Sequence, residues 1–326
     1  MPEITLVEAV NLALARALEE DPRVVLLGED IGANGGVFRA TLGLQSRFGA
    51  ERVRDTPLSE LAIAGVSVGL AAQGFRPVAE IQFTGFIYPT VDQMVNHASR
   101  LRNRTRGRLS CPMVLRSPYG GGIRAPEHHS ESPEAMFAHM PGLRVVIPSS
   151  PARAYGLLLA AIRDPDPVVF LEPTRIYRAV REHVEDNGQA LPLDTCFVLR
   201  EGVDATVVTW GATTIDCLTA ADALAEEGVS VEVIDVATLS LLDTETVLAS
   251  VEKTGRCIIV HEAARTCGFG AEIAACVAEE ALSSLIAPIE RVAGYDTVMP
   301  LSRLEAHYLP GADRVAGAVR AAMEHR

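Results

Sequence analysis

Lysine is nearly absent from this sequence: of 29 basic residues only Lys253 is a lysine, and the others are arginine. A phosphate-binding P-loop needs a Gly-Lys-Ser/Thr step, and a pyridoxal enzyme needs a Schiff-base lysine. Lys253 sits in Val251-Glu252-Lys253-Thr254-Gly255, which reads as the end of a helix with its glycine stop, so neither chemistry fits. The six cysteines contain no C-x-x-C pair. That argues against a zinc site or a disulfide framework and predicts reduced, buried thiols. No apolar run reaches the roughly 18 residues needed to span a bilayer. Met1-Pro2-Glu3-Ile4-Thr5 lacks the basic and apolar regions of an export signal, so the expectation is a soluble, cytoplasmic chain without membrane association. Cations are also in short supply: 42 acidic residues against 29 basic give a net charge of −13. Such a chain repels nucleic acid and anionic lipid, and a partner that meets it electrostatically should be basic.

At 326 residues the chain is long for one core, so two domains are expected. Thr5 and Glu8 form a capping box ahead of a helix whose inner face is Leu6, Val10, Leu14, Ala17 and Leu18. Val24–Leu27 follows as a fully apolar strand. Further helices are predicted over 60–73, 90–101 and 151–162, with strands at 78–83, 113–115, 143–147 and 168–171. Short apolar strands alternating with helices imply parallel sheets buried on both faces. Between about 178 and 200 the pattern lapses into polar, proline and glycine residues, a linker signal. Beyond it the alternation resumes. The reading is α/β, with two doubly wound domains at 1–185 and 200–326. Ligands favour loops at the carboxyl ends of parallel strands, and the first domain has more of these.

Gly65-Val66-Ser67-Val68-Gly69 matches the serine-hydrolase G-x-S-x-G. That motif requires a sharp turn out of a strand, whereas Ser67 lies inside a predicted helix. The two glycines are better read as a place where another helix approaches closely. Thr56-Pro57-Leu58-Ser59-Glu60 opens this helix, with Ser59 as N-cap and Glu60 in the first turn, where a carboxylate is favourable on dipole grounds alone.

A glutamate, four residues, then Gly, an apolar residue, two more and Gly is also the pattern of the pyrimidine-binding domain of thiamin diphosphate enzymes. More narrowly, the chain resembles the β subunit of the branched-chain 2-oxoacid dehydrogenase decarboxylase component. The resembling stretches include Leu27-Gly28-Glu29-Asp30, Gly36-Val37-Phe38-Arg39, Asp55 to Glu60, Glu80-Ile81-Gln82-Phe83, His129 to Ala135, His139 to Leu143, Leu171-Glu172-Pro173, His261-Glu262-Ala263 and Gly294 to Thr297. They run through both domains.

The resemblance implies an N-terminal thiamin pyrimidine-binding domain and a C-terminal transketolase-like domain. It sets Glu60 against the aminopyrimidine ring, where a carboxylate sharing a proton with a ring nitrogen favours the tautomer that activates the cofactor. Phe86 packs on the ring, with Leu58, Gln82 and Glu29 around it. The family often has tyrosine at Phe86, and from the residue alone a core role is the commoner one. His129 is implied to face the substrate and lipoyl entrance as a proton donor. His128, His129, Glu131 and Glu134 match no standard metal spacing. Glutamine is more usual in the family at Glu131, and a carboxylate beside His129 would favour the imidazolium. A monovalent cation, potassium in kind, is implied near Met113, Val114, Ala161, Asp164 and Asp166.

Gly-Asp-Gly, with which thiamin enzymes grip magnesium and the diphosphate, is missing. The resemblance therefore implies an α subunit that holds both, a second β chain, and a dihydrolipoyl acyltransferase whose lipoyl domain accepts the acyl group. The expected activity is oxidative decarboxylation of a 2-oxoacid with acyl transfer to lipoamide. Glu80-Ile81-Gln82-Phe83 and Ile87-Tyr88-Pro89 look more like the branched-chain subgroup, a resemblance that implies branched-chain substrates, with pyruvate or acetoin as the alternative.

Overall fold

In the computed structural model, residues 3–325 are described; Met1 and Pro2, which open the segment read for an export signal, and Arg326 lie outside them. The chain divides into two compact units. The first is Met1–Tyr119 with Met136–Leu193, and the second is Gly120–Ala135 with Asp194–Arg326.

Unit 1 begins with strand β1 (Ile4–Thr5) and helix α1 (Leu6–Glu20). The capping box forms: the Glu8 N–H donates to Thr5 Oγ1 at 3.4 Å, and the Thr5 N–H to Glu8 Oε2 at 2.7 Å. Leu6, Val10, Leu14, Ala17 and Leu18 are all buried. There follow β2 (Val24–Gly28), α2 (Leu44–Phe48), β3 (Val53–Asp55), α3 (Glu60–Ala72) and β4 (Arg76–Glu80). Next come α4 (Val91–Gln93), α5 (Leu101–Arg104), β5 (Val114–Tyr119), α6 (Glu134–Ala138), β6 (Arg144–Val146), α7 (Pro151–Arg163), β7 (Val168–Pro173) and β8 (Arg181–Glu182). Six of these strands lie in the order β6-β7-β5-β4-β2-β3, and every pairing is parallel. The central strands are buried throughout, which is why β2 and the first residues of β5 and β7 read as apolar runs. β8, inside the predicted linker, pairs antiparallel with β1.

Unit 2 continues with β9 (Phe197–Arg200), β10 (Ala205–Thr209), α8 (Thr213–Glu226), β11 (Val231–Asp235), β12 (Thr238–Ser240), α9 (Thr244–Thr254), β13 (Cys257–Ala264), α10 (Gly270–Glu280), β14 (Glu290–Gly294), α11 (Glu305–Tyr308) and α12 (Ala312–Glu324). Its sheet runs β14-β13-β10-β11-β9, parallel except for the β9 edge. The core beneath it includes Val207, Leu224, Val233, Ile258 and Val319. The α/β class and two-sheet plan are those the alternation predicts.

Several local expectations fail for physical reasons. The helix predicted over 90–101 is broken, with α4 passing into a π-type turn at Met94–Ala98 before α5. Ser99 Oγ turns back on the Val95 carbonyl at 2.8 Å, a side-chain bond that competes with the helix ladder. Of the two glycines in α3, Gly65 faces the side chain of Gln93 in α4, whereas Gly69 faces open space. Ser67 is fully buried and donates to the Ile63 carbonyl at 2.8 Å, which removes it as a nucleophile. Cys111, Cys196, Cys217 and Cys257 are buried, but Cys267 is exposed on a turn with φ 55°, so thiol burial is not general. Lys253 closes α9 before Gly255 and pairs with Glu232 and Glu201. No helix among the described residues is long and apolar enough to cross a membrane.

Candidate functional site

The predicted site residues of unit 1 gather at the carboxyl ends of β4, β2 and β3, three neighbours in its sheet. Gly28 ends β2 where a Cβ would stand 2.9 Å from the Glu80 carbonyl, so only glycine permits this approach. Glu29 follows directly. β3 ends at Asp55, whose carboxylate accepts from the Gly32 N–H at 2.6 Å and ties the two loops together. The chain then passes Leu58 into α3.

Ser59 occupies the N-cap position, but its side chain makes no capping bond. Its backbone N–H bonds the Glu29 carboxylate instead. Glu29 is 7% exposed, and its Oε1 has no hydrogen-bond partner among the described residues. Burial raises its pKa above the ordinary glutamate value, and the nearby charges of Glu60 and Asp30 add to the rise, against the Ser59 N–H. Gln82, just past β4, donates to the Glu29 carbonyl at 3.4 Å. Phe86 is half-buried, edge-on to Phe83 at 6.1 Å, which in turn meets Phe38 at 5.4 Å. Leu58 is 82% exposed, an unusual position for a large aliphatic side chain in the lone chain. A buried carboxyl with an unpartnered oxygen, a second carboxyl beside it, an amide and an apolar rim match the donor and acceptor needs of an aminopyrimidine.

Directly along these strand ends lies a network that the sequence reading did not single out. Arg116 of β5 donates to both oxygens of Glu172, at 2.7 and 2.9 Å, and to Glu80. Tyr177 donates to Glu172 at 2.5 Å. All four side chains are buried. Burial alone would lower the Arg116 pKa, but Glu172 and Glu80 outweigh it and hold the guanidinium charged. Burial raises Glu80, against the pull of Arg116. The available signal was a charged residue inside each of three apolar strands.

The positions expected for a monovalent cation lie at the opposite, amino ends of β5 and β7. The Met113 carbonyl accepts the Val168 N–H at 3.0 Å, and the carbonyls of Ile162 and Asp164 accept from Arg76 at 2.8 and 3.0 Å. Asp164 pairs with Arg144 and Asp166 with Arg102. Guanidinium groups thus engage the Asp164 carbonyl and the Asp164 and Asp166 carboxylates at this turn.

His129 belongs to unit 2, on a short 3-10 turn, Glu127–His129. Its ring is 4.1 Å from that of His128. Burial lowers its pKa, His128 adds to the effect, and Glu127 opposes both. The net shift is downward, opposite in sign to the one a carboxylate beside the ring would give, and Glu127 is a carboxylate that raises it. Among the described residues no three His, Cys, Asp or Glu side chains converge as a metal site.

The family description "Transketolase, pyrimidine binding domain" matches residues 2–180, and "Transketolase, C-terminal domain" matches residues 194–315. The chain is 49% identical over 320 residues to the pyruvate dehydrogenase E1 component subunit beta of Acholeplasma laidlawii, covering 98% of each chain. It is 47% identical to the protein of the same name from Bacillus subtilis, over 99% of this chain and 100% of that one. This chain belongs to the β subunits of 2-oxoacid dehydrogenase E1 components. A solved "split gene transketolase, inactive beta4 tetramer" shares the fold of this E1 β chain, with a TM-score of 0.82 over 99% of both chains at 24% identity. Both relatives carry pyruvate dehydrogenase names, which does not support the branched-chain preference. Of the residues that suggested it, Glu80, Ile81 and Ile87 are buried, and Glu80 is committed to Arg116. Gln82 and Phe83 are half-buried and Tyr88 is exposed.

Proposed function

We propose that this chain is the β subunit of a pyruvate-type dehydrogenase E1 component, active in oxidative decarboxylation with acyl transfer to lipoamide. The observation that carries it is the desolvated Glu29 carboxyl, with its unpartnered oxygen, beside Glu60 at adjacent strand ends. Thiamin diphosphate, when bound, supplies the carbanion chemistry that cleaves the 2-oxoacid. Glu60 holds a proton at the pyrimidine nitrogen, and Glu29 orients and restrains that carboxyl through its charge. Gln82 and the Phe86 and Leu58 side chains bound the ring and keep water from it. His129, whose pKa is lowered by burial and by His128, receives and returns a proton during transfer to lipoamide. An α subunit holds magnesium and the diphosphate, since this chain has no Gly-Asp-Gly. A second β chain and a lipoyl-bearing acyltransferase complete the assembly, and the reading carries a cytoplasmic location with it.

The test is reconstitution with the α partner, comparing kcat/KM for pyruvate, 2-oxoisovalerate and acetoin. Preference for pyruvate by tenfold or more is expected, and preference for 2-oxoisovalerate would restore the branched-chain reading. The chain alone should neither decarboxylate nor bind the cofactor tightly. His129→Ala should spare decarboxylation measured with a dye acceptor more than the lipoamide-coupled reaction.

A further inference from the structure

Gly120, Gly121 and Gly122 begin the segment that carries His128 and His129, and two carboxylates of the same unit hold that segment. The Gly121 N–H donates to Glu262 Oε1. The Gly122 N–H donates to Glu305 Oε1 at 2.7 Å, and the Arg124 N–H to both Glu305 oxygens at 3.3 and 3.1 Å. Glu262 is 3% exposed and Glu305 4%. Glu262 comes from β13 and Glu305 from α11, far along the chain from the loop.

The backbone explains why carboxylates are needed. Gly120 has φ 78°, Gly122 φ 90° and Arg124 φ 58°, so successive N–H groups turn toward one side and form an anion-binding concavity. A Cβ on Gly120 would stand 2.7 Å from Glu262 Oε1, so the loop and the carboxylate are fitted to each other. Three glycines in a row lose more conformational freedom on ordering than any other triplet. Inward-facing N–H groups would also be costly without acceptors. Charge-assisted bonds from two buried carboxylates offset both costs. Downstream the chain has few ways to reorient: the His129 N–H closes on the Pro126 carbonyl and the Ser130 N–H on Glu127, each at 2.9 Å.

We propose that Glu262 and Glu305 are positioning residues for acyl transfer, fixing the glycine loop so that His129 is presented in one orientation. Neither needs to touch substrate; each acts through the backbone it holds. This rests on the function proposed above for His129, and the experiment separates the two.

In the heterotetramer reconstituted with the α partner, Glu305→Gln and Glu262→Gln are compared with the unsubstituted protein by two readouts. The first is tryptic cleavage after Arg124, an exposed residue in the held loop, followed by fragment mass. Cleavage should quicken at least fivefold. The second is the ratio of lipoamide-coupled to dye-coupled oxidation, which should fall about tenfold while the dye-coupled rate stays within twofold. Where the Gln variants do not assemble, Glu305→Asp retracts the carboxylate by one methylene and should shift both readouts the same way by less. Cleavage no faster than in the unsubstituted tetramer overturns the anchoring, and equal loss of both rates overturns the link to acyl transfer. An unsubstituted tetramer that oxidises no 2-oxoacid would sink the functional reading, while the cleavage readout still decides the anchoring.

Discussion

Glu80 and Glu172 end two strands of unit 1 with Arg116 of the intervening strand bonded to both, whereas Glu29 and Glu60, one and two strands further along, form no ion pair among the described residues. The first cluster buries charge and satisfies it: every carboxylate has a guanidinium or phenol partner. The second buries a carboxyl and leaves one oxygen open. A structural ion cluster is expected to be closed, because unpaired buried charge is expensive. A carboxyl left open and desolvated is suited to exchanging a proton with something that arrives later. His261 is a third solution in unit 2. Stacked on Trp210 at 5.2 Å, it is held neutral by burial, which pushes its pKa down to about 4.

Arg116→Met attacks the closed cluster and carries the largest expected effect. It leaves Glu80 and Glu172 buried without a cation, which should cost about 3–5 kcal/mol. Denaturant unfolding of the purified chain measures it. A loss below about 1 kcal/mol would mean that Arg116 does not compensate these carboxylates.

Glu60→Gln attacks the open pair. In the reconstituted complex, turnover should fall roughly a thousandfold, about 4 kcal/mol of transition-state stabilisation, with assembly by size-exclusion chromatography unchanged. Wild-type turnover would make the contrast between the two clusters accidental.

For His261 the sign follows from linkage. Its folded pKa of about 4 lies below the ordinary 6.5, so the unfolded chain takes up the proton first as pH falls. Stability from this group is complete above pH 6.5 and declines toward pH 4, by about 3 kcal/mol in all. His261→Phe should remove that part of the pH dependence between pH 7.5 and 5 in urea titrations. A variant with the same slope as the parent would place the pH dependence elsewhere.

The smallest effect is expected from Glu29→Gln. It keeps the Ser59 contact but removes the charge beside Glu60, and a loss of about tenfold in kcat/KM, near 1.4 kcal/mol, is expected. An ionisation above the ordinary glutamate range should also vanish from the pH–rate profile. A profile identical to the parent's would take Glu29 out of the mechanism.

Periodicity alone brought out the sheet order's raw material: the strands, the α1 capping box with its buried face, and the glycine stop after Lys253 depend on contacts between residues close in sequence. The family's motif brought out Glu29, Glu60 and Gln82, which the fold does gather. The break at Ser99, the lowered pKa of His129, the arginines that engage the expected cation turn and the carboxylates beneath the glycine loop were not legible. Each depends on residues brought together across long separations or on how deeply a group is buried. Apolar patterning records which way a residue faces along its own element, and that much the amino-acid order determines. Which carboxylate is paired, which is left open and which backbone N–H groups a distant glutamate will hold were decided only by packing, because desolvation and hydrogen-bond geometry exist only once the chain has closed around them.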